Sequence, residues 1–386
     1  MRCRGRARIA FLHNDWRRKD HWPTAEGSGD VLGCLYLQNS SGVTLTSSLE
    51  AGGVLDGQGA AWWGIPGVGY LERGENRPKL LELDGGRDIL VEKLLLKDSP
   101  YWTFWAHGMD GLEVRHTRID ARRTSEQKHT TIDLTAFNTD GFDVTGRNVW
   151  IHDCEVWNQD DSVCVKDDSQ DMVFERISAS GLGLTIGSIG GSTVRNITFK
   201  DIVMPDTYKG IYMKFRGDGL VEDVLYQNIT IVRPEQWGVW IGPAQQSDSD
   251  DLCAAHPCSI CWPTLEALGA KCNAPAGGQY RNVVLRDVTI IDPKTKSPGV
   301  VLASDQAPMK NIVFDNVVVN YEEEEAERDW LVGKSWWKEP QYFCKGVASG
   351  VALGGTSPVP ACFNVTLPAA PVAAAAAATD GVGTVA

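Results

Sequence analysis

Three aspartates are the residues of this chain best suited to chemistry. Asp140 lies in Asn138-Thr-Asp-Gly-Phe-Asp143, and Asp160 and Asp161 follow in Asn158-Gln-Asp-Asp161. Carboxylates gathered at one place repel each other, which raises the pKa of at least one of them. A protonated carboxyl beside ionised ones can protonate a leaving oxygen while another activates water, as glycosidic bond cleavage requires. Spacing alone leaves a second interpretation open, in which these aspartates only cap bends.

Internal repeats indicate what would position these side chains. A seven-residue pattern of a polar residue, alternating apolar positions, Asp or Asn, and a further apolar residue begins at positions 88, 111, 148, 171, 196, 223, 282 and 311. Most steps between these start points lie within the roughly 20–50 residues typical of solenoid repeats. The long step from 223 to 282 fits either two coils or one coil with a cysteine-rich insertion.

The apolar residues alternate within each copy, which is the periodicity of a strand. A strand of this kind buries its inner face only by stacking on its neighbours. The pattern therefore predicts an all-β parallel β-helix, and it disfavours a β-sandwich, whose turns recur at about 8 to 12 residues. Equivalent positions of successive coils stack about 4.8 Å apart, so we expect Asp140 to lie beside Asp160 and Asp161 on the solenoid surface.

The repeats also divide the chain. We predict an irregular N-terminal segment over residues 1–30 and a β-helix over 31–366, with a cysteine-rich insertion at 245–279. Residues 367–386 are rich in alanine and low in complexity, so we predict a disordered tail.

Ten cysteines and four N-x-S/T sequons, at Asn39, Asn196, Asn228 and Asn364, favour an oxidising, secreted location, although sequons also arise by chance. The basic N-terminus lacks the apolar core of a signal peptide, so we expect a missing start rather than an intracellular protein. Cys258-x-x-Cys261, with Cys253, His256 and Cys272 nearby, has spacing that zinc could use. Disulfides that hold the insertion are the preferred interpretation.

The net charge of −13 argues against nucleic acid as a partner. No apolar run reaches the roughly 20 residues that span a bilayer, so we expect no membrane partner. An acidic polymer would have to be held by local cations.

Motifs along residues 40–320 resemble glycoside hydrolase family 28, the polygalacturonases and rhamnogalacturonases. The matching segments, in order, are Gly53–Gly59, Trp62-Trp63, Arg77-Pro78, Leu94–Trp102, Asn138–Gly141, Gln159–Asp161, Ile186–Ser188, Gly190-Gly191 and Gly210-Ile211. The resemblance implies a single-stranded right-handed parallel β-helix. It also implies a monomer that hydrolyses a pectic polysaccharide with inversion, without a metal or other cofactor.

Residue by residue, the resemblance implies that Asp160 is the general acid and that Asp140 and Asp161 position and deprotonate water. It also places Asn138 and Gln159 among the substrate-binding residues.

Two positions depart from the family pattern. Leu182 stands where the family has a histidine, and Tyr212 replaces an arginine, while Lys214 is kept. Strand residues at spacing two share a face, so Tyr212, Lys214 and Arg216 can all bind substrate. In that hypothesis Tyr212 stacks on sugar and Arg216 restores charge; alternatively, Arg216 pairs with Asp218.

These departures favour rhamnogalacturonan or another modified uronic-acid polymer over plain homogalacturonan. Trp237 and Trp240 form either a sugar platform or core packing. The rivals to hydrolysis are a calcium-dependent lyase and a catalytically weak or inactive carbohydrate-binding β-helix.

Overall fold

The computed structural model describes residues 2–3, 8–10, 22–24, 29–49, 52–64, 77–130, 132–246, 254–263, 265–295, 297–321 and 340–365. These residues form three short 3-10 helices, at Gly59–Ala61, Asp133–Thr135 and Glu266–Leu268, and otherwise strands and loops. The strands are β1 (Arg2–Cys3), β2 (Arg8–Ala10), β3 (Leu35–Ser41), β4 (Thr44–Ser47), β5 (Gly53–Asp56), β6 (Leu81–Glu92), β7 (Leu94–Lys97), β8 (Phe104–Arg115), β9 (Arg118–Asp120), β10 (Phe142–Trp157), β11 (Val163–Ser180), β12 (Leu184–Ile189), β13 (Thr193–Met204), β14 (Ile211–Phe215), β15 (Gly219–Val232), β16 (Val239–Pro243), β17 (Gln245–Gln246), β18 (Cys258–Ser259), β19 (Gly278–Ile291), β20 (Gly299–Leu302), β21 (Lys310–Asn320), β22 (Phe343–Lys345), β23 (Gly350–Leu353) and β24 (Asn364–Val365).

All of these strands except β17 and β18 belong to one continuous sheet that pairs each coil with the next in parallel. The sheet bends into three faces. The first face, which positions the site, consists of β12, β14, β16, β20 and β22 together with β3 and the first residues of β6, β8, β10 and β11. The predicted parallel β-helix is therefore confirmed, and the β-sandwich is excluded because sandwich sheets are antiparallel.

The seven-residue repeat is a corner, a short strand and a second corner. In all eight copies the first residue has φ between 53° and 90° and the sixth has φ between 48° and 58°. Asn and Asp tolerate this left-handed conformation better than other residues with side chains. The repeat recurs because every coil must turn at the same two corners to stay stacked on its neighbours. Its polar positions therefore mark the bends, and its apolar positions mark the core.

The corner asparagines also bond to one another along the stack. Asn196 Nδ2 donates to Asp171 Oδ1 (2.7 Å), and Asn228 Nδ2 donates to Asp201 Oδ1 (2.7 Å). Both asparagines are sequon residues, and this ladder gives them a structural reason to be asparagine.

Inward-pointing residues form one core along the axis. Val149, Met172, Ile197, Val224, Val283 and Ile312 are in register in successive coils. The rings of Phe174, Phe199 and Tyr226 stack with centroids 4.7 Å apart, which matches the strand spacing. No helix in the described part of the chain is long and apolar enough to cross a membrane.

The long step between the repeats at 223 and 282 is a single coil, because β15 pairs directly with β19. The chain leaves the stack after β16, and the described residues of the excursion (254–263 and 265–277, hereafter the insertion) include the small β18. At the other end, residues 1–30 were predicted irregular, but β1 and β2 pair with β4 and β5. The predicted tail at 367–386 lies outside the described residues.

The cysteine prediction holds in part. Cys258 pairs with Cys272, Cys344 pairs with Cys362, and Cys261 is also disulfide-bonded, so these thiolates are not available to zinc. Cys34, Cys154 and Cys164 are free thiols, which the even cysteine count did not indicate.

The corner ladder can be tested at Asn282, which has φ 53°, donates to Asp223 and accepts from Asn311. Asn282→Val places a β-branched residue in the left-handed region and removes both hydrogen bonds, so we expect a loss of about 1–3 kcal/mol in unfolding free energy. Asn282→Gly keeps the backbone conformation and should cost less. Urea unfolding measures both, and equal losses would show that backbone conformation is not what the asparagine supplies.

Candidate active site

Stacking of coils brings the three aspartates together at the edge of the first face. Thr103 N donates to the Asp140 carbonyl oxygen and Gly141 N donates to the Asp161 carbonyl oxygen, both at 2.8 Å, so the coils are in register at the aspartates themselves. One carboxylate oxygen from each of Asp140, Asp160 and Asp161 lies within 4.8 Å of the other two. The predicted convergence is therefore present in the structure.

Asp161 is the anchored member of the group. Its Oδ2 accepts from Lys214 Nζ (2.8 Å) and its Oδ1 accepts from Thr185 Oγ1 (2.8 Å). Burial by itself raises the pKa of Asp161, but the charges of Lys214 and Lys166 outweigh it and hold the pKa below the usual range. Asp161 is therefore the carboxylate that stays ionised.

Asp160 is the most exposed of the three. It is half-buried, its Oδ2 accepts from the Asn138 backbone N (3.2 Å), and its Oδ1 accepts from the Asp161 backbone N (2.9 Å). Burial raises the pKa of Asp160, and the neighbouring charge of Asp161 raises it further. A carboxyl with a raised pKa that is only half-buried is suited to reach and protonate a leaving-group oxygen.

Asp140 is only 3% exposed, and its Oδ1 has no hydrogen-bond partner. Burial raises the pKa of Asp140 well above the usual range, and the charges of Asp160 and Asp143 add to the shift. Asp140 and Asp160 therefore both favour the protonated form more than an ordinary aspartate does, in contrast to Asp161.

A second buried ion pair borders the group. Asp143 is 0% exposed, and Lys166 Nζ lies 3.2 Å from Asp143 Oδ1 and 3.8 Å from Asp140 Oδ2. Burial raises the pKa of Asp143 to about 6, against the opposing effect of Lys166. Lys166 therefore lies against Asp140 and Asp143 while Lys214 lies against Asp161, and the two lysines partly neutralise the aspartates.

Asn138 and Gln159, both predicted to bind substrate, lie in different surroundings. Asn138 has φ 55°, its Nδ2 lies 3.4 Å from Asp160 Oδ2, and its Oδ1 accepts from buried Arg77 (3.0 Å), so it lies at the site and orients Asp160.

Gln159, also predicted to bind substrate, lies in the protein interior. Gln159 is 2% exposed, its Oε1 lies 2.8 Å from His129 Nδ1, and its Nε2 donates to the Ala121 carbonyl oxygen (3.1 Å). Both ends of its amide group are therefore bonded to the protein itself. Gln159 thus fixes the segment that carries Asp160 and Asp161.

Tyr212 does not offer an open stacking ring. It is 3% exposed and lies between two ammonium groups, with Lys209 Nζ 4.0 Å and Lys214 Nζ 4.4 Å from its ring centroid. Trp237 and Trp240 are buried in the same cluster, so core packing, not a sugar platform, is their role. Aromatic residues on this outer face are covered by the insertion, which alternation alone could not show.

Lys214 and Arg216 remain accessible to a ligand. The Lys214 side chain is 12% exposed, and Arg216 is exposed just past the end of β14. Arg216 and Asp218 form no ion pair in the described structure. When the amide oxygen of Gln246 is turned towards Arg216, it accepts a hydrogen bond from Arg216 Nε (2.9 Å). Leu182, which stands where the family has histidine, is half-buried and its N donates to the Asp160 carbonyl oxygen (2.7 Å).

Sequence reasoning missed Asp143, Lys166 and Lys209. Alternation did offer a signal, because Phe142 and Val144 point inward and Asp143 must then point outward with the site. Lys166 lies two positions after Cys164 on the same outer face. Lys209 Nζ donates to Gln245 Oε1 (3.1 Å), and burial, aided by Lys214, lowers the pKa of Lys209 to about 7.

The three aspartates are also the one described cluster whose oxygens are close enough to share a metal ion. The donor set fits a cation poorly, since Lys214 already bonds Asp161 and Lys166 faces Asp140. Two ammonium groups in these positions repel a divalent ion. The arrangement supports proton transfer between carboxyls more directly than metal binding.

Solved structures of two polygalacturonases share the fold of this chain. An exopolygalacturonase from Thermotoga maritima matches with a TM-score of 0.60 and 17% identity, over 82% of this chain and 74% of the other. Endopolygalacturonase I from Stereum purpureum matches with a TM-score of 0.54 and 18% identity, over 88% of this chain and 92% of the other. At these identities the likeness establishes the fold.

Sequence comparison is more specific. The chain is 29% identical over 262 residues to endopolygalacturonase A of Aspergillus niger, an alignment that covers 66% of each protein. The chain thus spans just under two thirds of that relative's length. The model of "Glycosyl hydrolases family 28" matches residues 36–259, which include all three aspartates and Lys214. The chain therefore belongs to glycosyl hydrolases family 28.

Proposed function

We propose that the protein hydrolyses glycosidic bonds in a pectic polysaccharide, with galacturonan or a rhamnogalacturonan-type polymer as substrate. The observation that carries the proposal is the convergence of three carboxylates within 4.8 Å, one of them fixed in its ionised form by Lys214. Membership of a hydrolase family and similarity to an endopolygalacturonase support it. An inactive carbohydrate-binding β-helix would have no use for three mutually repelling carboxylates, so that alternative is not favoured.

The roles follow from exposure and charge. Asp160, half-buried and with a raised pKa, donates a proton to the leaving oxygen. Asp161, ionised, and Asp140 hold the attacking water between them, and one of the two accepts its proton. Single displacement with inversion at the anomeric carbon follows from this division of labour.

Local cations would hold the acidic sugar. The chain carries a net charge of −13, so its long-range field repels a polyuronate. Lys214 and Arg216 lie on the outer side of the first face near the aspartates and can meet a uronate carboxylate. Lys166, with 23% of its side chain exposed, is a third cation at the site.

The Cys258–Cys272 and Cys344–Cys362 disulfides are consistent with an oxidising compartment. We extend this to secretion of a monomeric enzyme that acts on cell-wall polymers, with glycans at sequons outside the corner ladder. At Asn196 and Asn228 a glycan would have to share the amide nitrogen with the ladder hydrogen bond.

Asp160→Asn tests the general acid. Without an ionisable proton donor we expect kcat to fall by about 10²–10⁴-fold on pectic polymers, measured as new reducing ends. Asp168→Asn, the same chemical change at an exposed corner with φ 59°, should leave activity unchanged. Wild-type activity in Asp160→Asn would contradict the assignment. A lyase would instead lose activity with chelator and form an unsaturated product.

Lys166→Met tests the electrostatic balance. Lys166 lowers the pKa of both Asp140 and Asp143, so its loss should raise both. Carboxyls with a higher pKa stay protonated to a higher pH, and the acidic limb of the kcat profile should move up by about one pH unit. Lys200→Met, at a lysine paired with Glu175 on another face, is the matched control. An unchanged acidic limb would remove Lys166 from the site's proton balance.

The stereochemistry of the product tests the mechanism. Inverting enzymes usually hold their two carboxyls about 6.5–9.5 Å apart, whereas retaining ones hold them at about 5 Å. The oxygens here lie within 4.8 Å, but three carboxylates divide the work that two perform elsewhere. We expect proton NMR in the first minutes to show product of inverted anomeric configuration. Retained configuration would make one aspartate a nucleophile.

A further inference from the structure

We propose that the insertion closes the substrate cleft on one side of the aspartates, so that the enzyme removes short units from a polymer end instead of cutting the interior. The inference rests on the proposed glycosidase function and adds the mode of attack. It concerns residues 254–263 and 265–277, which fold back onto the outer side of the first face.

The contact between the insertion and the first face is apolar and continuous. Trp262 of the insertion lies edge-on to Trp240 of β16 (centroids 6.0 Å apart) and to Phe343 of β22 (5.4 Å). The same buried cluster takes in residues of three consecutive coils, namely Tyr212, Trp237, Trp240, Val300 and Leu302, and Phe343 of the fourth coil packs against it. Trp240 and Val300 are 0% exposed, so no sugar ring can reach the sheet there.

Polar bonds fix the insertion beside the site. Cys258 N donates to the Ala244 carbonyl oxygen (3.2 Å), and the Cys258–Cys272 disulfide closes the insertion on itself. Gln245 links the two parts, because its Nε2 donates to the Trp262 carbonyl oxygen (3.2 Å) and its Oε1 accepts from Lys209 Nζ (3.1 Å). The insertion is therefore a wall attached to the first face at Ala244 and Gln245, beside the buried Lys209.

The position of the wall limits how much polymer fits on that side. Tyr212, the first residue covered, belongs to the second coil after Asp161, and two coil spacings are about 10 Å. That distance is the length of a disaccharide, not of a polymer. On the other side of the aspartates the described outer face is open, where Trp105 is half-buried and the His107 side chain is 54% exposed.

An interior cut requires the polymer to continue past the cleavage point in both directions. A wall about two coils away allows this only if the chain bends out sharply. A chain end fits without bending, and each cleavage then releases a product whose length is set by the distance to the wall.

The test compares viscosity with reducing ends during digestion of polygalacturonate and rhamnogalacturonan by the wild-type protein. We expect reducing ends to accumulate with little loss of viscosity, and the early product to be a single short oligosaccharide. A rapid fall in viscosity with a broad ladder of oligomers would overturn the inference and leave the hydrolase proposal standing. Absence of reducing ends from every pectic polymer would overturn the hydrolase proposal and the inference with it.

Trp262→Ala thins the wall without touching the aspartates or lysines. We expect longer early products and a viscosity loss per bond cleaved at least twofold greater than in the wild type. Trp150→Ala, at an exposed tryptophan on another face, is the matched control and should keep the wild-type pattern. If Trp262→Ala fails to fold, replacing residues 254–276 by a short Gly-Ser linker gives the same readout. A wild-type product pattern in a folded, active variant would contradict the wall.

Discussion

Registered stacking of coils is the constraint on which the rest of this molecule depends. Asp140 and Asp161 are 21 residues apart in the chain but lie side by side on neighbouring coils. The backbone hydrogen bonds of Thr103 and Gly141 hold these coils in register. A shift of one residue in any of these coils would turn its outward side chains into the core. The corner residues prevent such a shift, since left-handed conformations recur at the first and sixth positions of every copy.

The same stacking creates an electrostatic problem that the site exploits. Asp140, Asp143 and Asp161 are each at most 3% exposed and lie close together, so burial alone would protonate them. Two lysines stabilise the negative charge of these carboxylates to different degrees. Lys214 bonds Asp161 directly and keeps it ionised, whereas Lys166 is shared between Asp143 and Asp140 and neutralises neither completely. Asp161 thus has a lowered pKa while Asp140 and Asp160 have raised ones, and unequal carboxyls of this kind are what acid–base catalysis of hydrolysis requires.

The sequence was sufficient for the fold and for the centre of the site because both depend on short-range rules repeated many times. Alternation, Asn and Asp at corners, and a recurring step between copies predict the stacking, and stacking predicts the convergence. It was insufficient for Gln159 and Tyr212, whose surroundings come from distant segments. His129, well upstream in the chain, takes up the Gln159 amide, and the insertion covers Tyr212. No periodicity specifies where an irregular excursion will pack.

The segment that periodicity could not place, the insertion, is also a departure of this chain from a regular solenoid. A repeated coil by itself offers a continuous outer face, and any stretch of polymer could lie along it. The long coil between β15 and β19 interrupts this regularity near Lys214, and its Trp262 packs against Trp240 of β16 and Phe343 of β22 on the outer face. The repeated coils thus carry the three aspartates, and the long coil between β15 and β19 covers part of the outer face beside them.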